Sequence, residues 1–155
     1  MLKDIELVDV LTPERVLILE STTKKEALET LAGCLATASE IQDGDALLKA
    51  VFYREELMST GIGMGIAVPH VRLASVTGPV MCVGICQNPL ADYESLDGVP
   101  VRLIFMIAAG QGQHVQYLRL LSSLSLRFKD DNLRDALTSA SDPKTFYQIL
   151  IHAEK

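Results

Sequence analysis

The segment Arg54-Glu-Glu-Leu-Met-Ser-Thr-Gly-Ile-Gly-Met-Gly-Ile-Ala-Val-Pro-His70 packs a fixed cation, two hydroxyls, a string of glycines and a histidine into one short stretch. A neutral imidazole keeps a lone pair on one ring nitrogen and can attack phosphorus near physiological pH. Arg54 can fork two hydrogen bonds onto phosphate oxygens. Gly61, Gly63 and Gly65 permit positive φ and clear one side of the backbone, so amides there can approach an anion, and Ser59 and Thr60 add hydroxyl donors. The same glycines serve equally well as a purely structural bend before a strand. Two familiar phosphate motifs are excluded. Ile66 stands where a third glycine would complete a dinucleotide fingerprint, no Lys follows as in a Walker loop, and the glycines precede a strand instead of opening a helix.

His70 follows Pro69 at the end of an expected strand, where its ring would project from a rigid sheet edge. His114 opens a helix directly after the Gly110-Gln-Gly112 turn that ends the longest strand, and such strand ends are where α/β folds gather functional groups. His70, His114 and Arg54 together are the parts of a phosphoryl site. Each has a plain alternative: a satisfied structural histidine, an outward-facing helix N-terminus, and a surface ion pair of Arg54 with Glu55 or Glu56. His152 has no neighbouring pattern and reads as a surface residue. A metal-dependent hydrolase built on His70 and His114 lacks an evident third ligand for a catalytic zinc. Cys34, Cys82 and Cys86 form no even framework and read as small buried hydrophobes without a disulfide. Cys82 and Cys86 share a strand face but lie roughly 13 Å apart at ~3.3 Å per residue, so they cannot chelate one ion together.

The elements that must position these residues follow from periodicity. Thr23 with Glu26 three residues on caps a helix carrying Leu28, Leu31 and Leu35, and Asp43 or Asp45 caps a second through about Leu57, with Arg54 near its end. Three apolar segments, Gly65 to Pro69, Val80 to Gln87 and Val99 to Ala108, read as the centre of a sheet, with Val16 to Leu19 as a further strand. Asn88 to Gly98 reads as an acidic connecting loop. Helical spacing returns over His114 to Phe128, Asn132 to Ser139 and Lys144 to His152. The fold class is therefore α/β, a mixed β-sheet of about five strands flanked by helices on both faces, as one domain over 1–155. With 155 residues, 48% hydrophobic and 22% charged, the chain is long and apolar enough to bury a core. A net charge of −6 without a basic cluster argues against nucleic acid. The N-terminus lacks the pattern of a secretory signal, and the most apolar stretch, Leu103 to Ala109, falls far short of the ~20 residues of a spanning helix, so a cytoplasmic protein is expected.

The string STGIGMGIAVPH, supported by GQHVQYL and FYQIL, resembles the enzyme IIA domains of the fructose–mannitol class of the bacterial phosphotransferase system. Its placement about one third of the way along the chain is most similar to the nitrogen-regulatory type. The resemblance implies that His70 is the phosphorylated histidine, that Arg54 is the arginine beside it, and that His114 is the second active-site histidine. Val71 stands where many relatives have glycine, and Arg72 where lysine is frequent. The implied donor is the phosphocarrier protein HPr or its nitrogen-branch relative, with an enzyme IIB as a possible acceptor and neither metal nor cofactor. No fused IIB or membrane domain is visible, which favours regulation, yet a dedicated IIA subunit of a fructose- or mannitol-type transporter would look identical.

Overall fold

Period-two apolar stretches and period-3.6 amphipathic stretches can bury their apolar faces together only as layers. In the computed structural model, which describes residues 6–153, they do so as one sheet with helices on both sides. Strands β1 (Val16–Leu19), β2 (Gly61–Gly63), β3 (Ile66–Ala67), β4 (His70–Arg72), β5 (Val80–Leu90) and β6 (Val101–Ala109) are arranged in the order β1-β5-β6-β3-β2, with β4 also on β6. The β1–β5, β3–β6 and β4–β6 pairs are parallel; β5–β6 and β2–β3 are antiparallel. A one-turn helix α1 (Leu7–Val10) precedes β1, and α2 (Lys24–Leu35) and α3 (Gly44–Leu57) fill the first crossover. Helices α4 (His114–Phe128), α5 (Asp131–Ser139) and α6 (Pro143–His152) follow β6.

The caps are the expected ones: Thr23 Oγ1 accepts from the Glu26 amide, and Asp43, not Asp45, accepts from the Ala46 amide. Alternate residues of the central strands feed two cores. Cys82, Ile104 and Met106 join Leu28, Leu31, Leu47 and Val51 on one face. Met81, Val83, Phe105 and Ile107 meet Leu120, Phe128 and Phe146 on the other. Cys34, Cys82 and Cys86 are free thiols, with Cys82 and Cys86 on the same face of β5.

Two expected boundaries need correction. The strand Gly65–Pro69 is instead a β2–β3 hairpin followed by β4, so His70 begins a strand rather than ending one. Segments 66–67 and 70–72 run along the same partner, Ile66 opposite Leu103 and His70 opposite Ile107, and are interrupted at Val68-Pro69. Proline has no N–H for a ladder, yet its carbonyl still accepts from the Ile107 amide at 2.9 Å, so the chain resumes its course beyond it. The acidic loop also begins later, because β5 continues through Asn88 and Pro89 to Leu90, which pairs with Val101 after a register shift.

The hairpin is shaped by close approach as well as by φ. Gly63 and Gly65 have φ of +99° and +76°. At Gly61 an added Cβ would lie 2.2 Å from the Glu94 carbonyl oxygen, a backbone atom that cannot swing aside. Gly61→Ala is therefore expected to cost about 1–3 kcal/mol in denaturant unfolding; an unchanged midpoint would show that the 94–97 loop yields without cost.

Candidate active site

His70 sits half-buried at the start of β4, and three backbone details decide its chemistry. Val68 turns away from β6, its N–H bonding the Thr60 carbonyl at 3.0 Å. Its carbonyl lies on that same outer side, 2.6 Å from Nδ1 of His70. A carbonyl can only accept, so Nδ1 carries the ring proton and donates, which leaves the lone pair on Nε2. Burial pushes the imidazole below its ordinary pKa; the Val68 bond opposes this, Arg54 reinforces it, and Glu55 opposes it. The ring is therefore neutral and nucleophilic near physiological pH.

Arg54, on the last turn of α3, borders two clefts that meet at His70. One, of about 440 Å³, is lined by Tyr53, Leu57, Arg72 and Tyr117 among others; the second, of about 330 Å³, by Met58, Ser59, Thr60, Ile62, Leu96 and Leu121. Arg54 donates from Nη1 to the Met58 carbonyl at 2.6 Å, one bond among the five N–H donors of a guanidinium. The rim is apolar: Leu96 and Met58 are 88% and 71% exposed, and Tyr53 and Leu57 are exposed beside them.

Ser59, Thr60 and Gly61 do reach the second cleft, but their polar groups are already bonded within the protein. The Ser59 hydroxyl donates to the Glu94 carbonyl and accepts from the Gly61 amide. The Thr60 hydroxyl donates to Glu55 and, its single proton thus committed, accepts from Tyr93, 2.6 Å away. Gly63 faces the Asp97 carboxylate, an added Cβ meeting Oδ2 at 3.0 Å, and the next amide, Met64 N–H, donates to that carboxylate at 2.8 Å. A negative charge so placed repels an anion. The glycine string is thus a hairpin pinned from behind rather than a phosphate cradle, and Arg54 is left as the charged donor at the cleft.

Beneath the site lies Glu55, which periodicity alone reads as a surface charge. It is buried, with Oε1 receiving Lys24 Nζ at 2.9 Å and the Thr60 amide at 3.2 Å. The ion pair of Glu55 is therefore made with Lys24. Lys24 also stands 4.4 Å above the Tyr93 ring, and its backbone amide donates to Asp92. His114 is exposed at the first position of α4, where its Nδ1 receives a bond from Arg72 at 2.9 Å. Tyr117, one turn along, packs its ring 5.7 Å from that of His70. Arg72 and Tyr117 had signals of their own, at two residues from His70 and three from His114 on a shared strand face and helix face. His152 is exposed and bonds Gln148 away from the site. Among the described residues no group of three or more His, Cys, Asp or Glu could hold a metal ion, and no helix is long and apolar enough to cross a membrane.

This fold is that of a known class. Residues 9–153 match the family model "Phosphoenolpyruvate-dependent sugar phosphotransferase system, EIIA 2", and the chain belongs to that family. It is 33% identical to a nitrogen regulatory protein of Pseudomonas aeruginosa, covering 97% of each chain. It is 35% identical to the fructose-specific EIIABC component of Bacillus subtilis, covering 97% of this chain but spanning only 24% of that protein's length. The structure of the nitrogen regulatory protein IIA-Ntr from Neisseria meningitidis superposes with a TM-score of 0.84 at 28% identity, over 92% of this chain and 97% of that one. Regulatory and sugar-specific proteins both stand among its relatives.

The depressed His70 pKa fixes the sign of a pH dependence. Because burial favours the neutral ring, the form able to attack phosphorus, any phosphoryl acceptance by His70 from a purified phosphorylated donor should hold as pH falls through the ordinary imidazole value. It should drop only on the acid side of that value, in step with the His70 ring titration read by NMR. A midpoint at or above the ordinary value would mean that the ring is not desolvated.

Proposed function

We propose that this chain is a cytoplasmic phosphoryl carrier that accepts a phosphoryl group from the phosphocarrier protein HPr, or its nitrogen-branch relative, onto Nε2 of His70. The group is then used for regulation or relayed to an enzyme IIB. The observation that carries this reading is the Val68 carbonyl on Nδ1, which leaves the Nε2 lone pair bare beside Arg54 at the junction of two clefts.

The step balances without a cofactor. As Nε2 of His70 forms its bond to phosphorus, the bond from phosphorus to the donor's nitrogen breaks and returns its electron pair to that ring. The attacking ring gains positive charge, which Nδ1–H shares with the Val68 carbonyl. Negative charge spread over the equatorial oxygens is what Arg54 can offset with a planar fork. The donor brings its phosphoryl group into an apolar rim of Tyr53, Leu57, Met58 and Leu96, a surface of the kind that marks protein contacts. His114 assists without being the nucleophile, and no divalent cation takes part.

The test uses donor phosphorylated beforehand and freed of the upstream kinase and its Mg²⁺. Wild-type protein should take label in excess chelator, and His70→Ala should take none while keeping its fold. Label on His70→Ala, or transfer that chelator abolishes, would overturn the carrier reading.

A further inference from the structure

The contact between Arg72 and His114 goes beyond any role assigned so far, and it links the two histidines. Arg72 lies two residues after His70 on β4, so both side chains leave the same face of the strand, toward α4. The Arg72 guanidinium rests 5.7 Å from the centre of the Tyr117 ring, which also packs against the His70 ring. Burial holds the Tyr117 phenol up at about 12, so it brings no charge to the site. From this seat Arg72 donates from Nη1 to Nδ1 of His114 at 2.9 Å.

A guanidinium has donors only and does not give up its proton in proteins. The nitrogen facing it must therefore be the bare one, and the proton of His114 must sit on Nε2. The backbone at His114 is fixed independently: Gln113 Oε1 accepts from the Gly110 amide at 2.7 Å and its Nε2 donates to the Thr77 carbonyl at 2.9 Å. Those bonds place the start of α4 but leave the His114 ring free to turn about its own side-chain torsions. What orients the ring is Arg72.

We propose that Arg72 is a positioning residue for phosphoryl transfer, holding the His114 ring in the tautomer with its proton on Nε2, which can donate to a phosphoryl oxygen. This rests on the carrier reading above. Arg72 acts through His114, so its value disappears when His114 is absent. Lysine keeps a charge at position 72 but not the planar group that lies against Tyr117 while reaching the histidine.

A mutant cycle separates this from a bystander surface contact, which would be worth little. Single-turnover transfer from purified phosphorylated HPr at saturating concentration would be measured for wild type, Arg72→Ala, His114→Ala, the double variant and Arg72→Lys. Arg72→Ala should slow the transfer step about tenfold, in the range of coupling within one hydrogen-bonded network, with donor affinity little changed. The double variant should be no slower than His114→Ala, and Arg72→Lys should recover part of the loss. In the unphosphorylated protein, nitrogen NMR of the neutral His114 ring should show bare Nδ1 and protonated Nε2, moving toward a mixture in Arg72→Ala. Additive losses, a loss confined to donor affinity, no loss, or an unmoved His114 signature would each overturn the proposal. A wild type that takes no phosphoryl group would overturn the carrier reading and the role together, while the nitrogen spectra would still report whether the contact exists.

Discussion

The bond from Nδ1 of His70 to the Val68 carbonyl is the constraint on which the chemistry of this molecule depends. It exists because the strand beside β6 is interrupted. Pro69 cannot donate to a ladder, β2 stops at the hairpin, and the outward-facing carbonyl of Val68 lies within reach of a ring two residues on. A continuous sheet would have consumed that carbonyl in a backbone bond. The break in regular structure thus chooses the tautomer of His70, and the tautomer fixes which ring nitrogen keeps its lone pair.

Holding that break in place is a task for the layer behind it. The Glu55 carboxylate gathers Lys24 from the start of α2, the amide and hydroxyl of Thr60 and, through Thr60, the phenol of Tyr93. A buried carboxylate is costly unless its oxygens are satisfied, and here donors from several chain segments satisfy them. Asp97 does the same for the outer turn through the Met64 amide. Rigidity around the hairpin comes from these two carboxylates, while Arg54 borders both clefts and Arg72 the larger one. Acidic residues build the scaffold and basic residues border the clefts, so a chain of net negative charge still presents positive charge beside His70.

Much of this was legible in the residues. The caps Thr23 and Asp43, the helix opening at His114 and the β1 strand are local features, and local rules read them correctly. So did the motif that carries the family resemblance, which the comparison over residues 9–153 bears out. What failed was non-local. Pro69 looks like the end of a strand unless the continued path along Ile107 is known, and Asn88-Pro89 looks like a loop unless the pairing of Leu90 with Val101 is known. Thr60 and Gly63 look like anion donors until Glu55 and Asp97 are seen beside them. Arg72 gave only a weak hint, because its meaning depends on His114, far along the chain.

Backbone geometry, not intrinsic reactivity, selects which ring nitrogen of His70 keeps its lone pair. The direct measurement is combined phosphorus and nitrogen NMR of the freshly phosphorylated protein, labelled with nitrogen-15 in histidine and phosphorylated from purified donor. The predicted spectrum shows phosphorus coupled to Nε2 of His70 while Nδ1 keeps its proton, hydrogen-bonded to Val68. Phosphorus coupled to Nδ1 of His70, or to either nitrogen of His114, would contradict it.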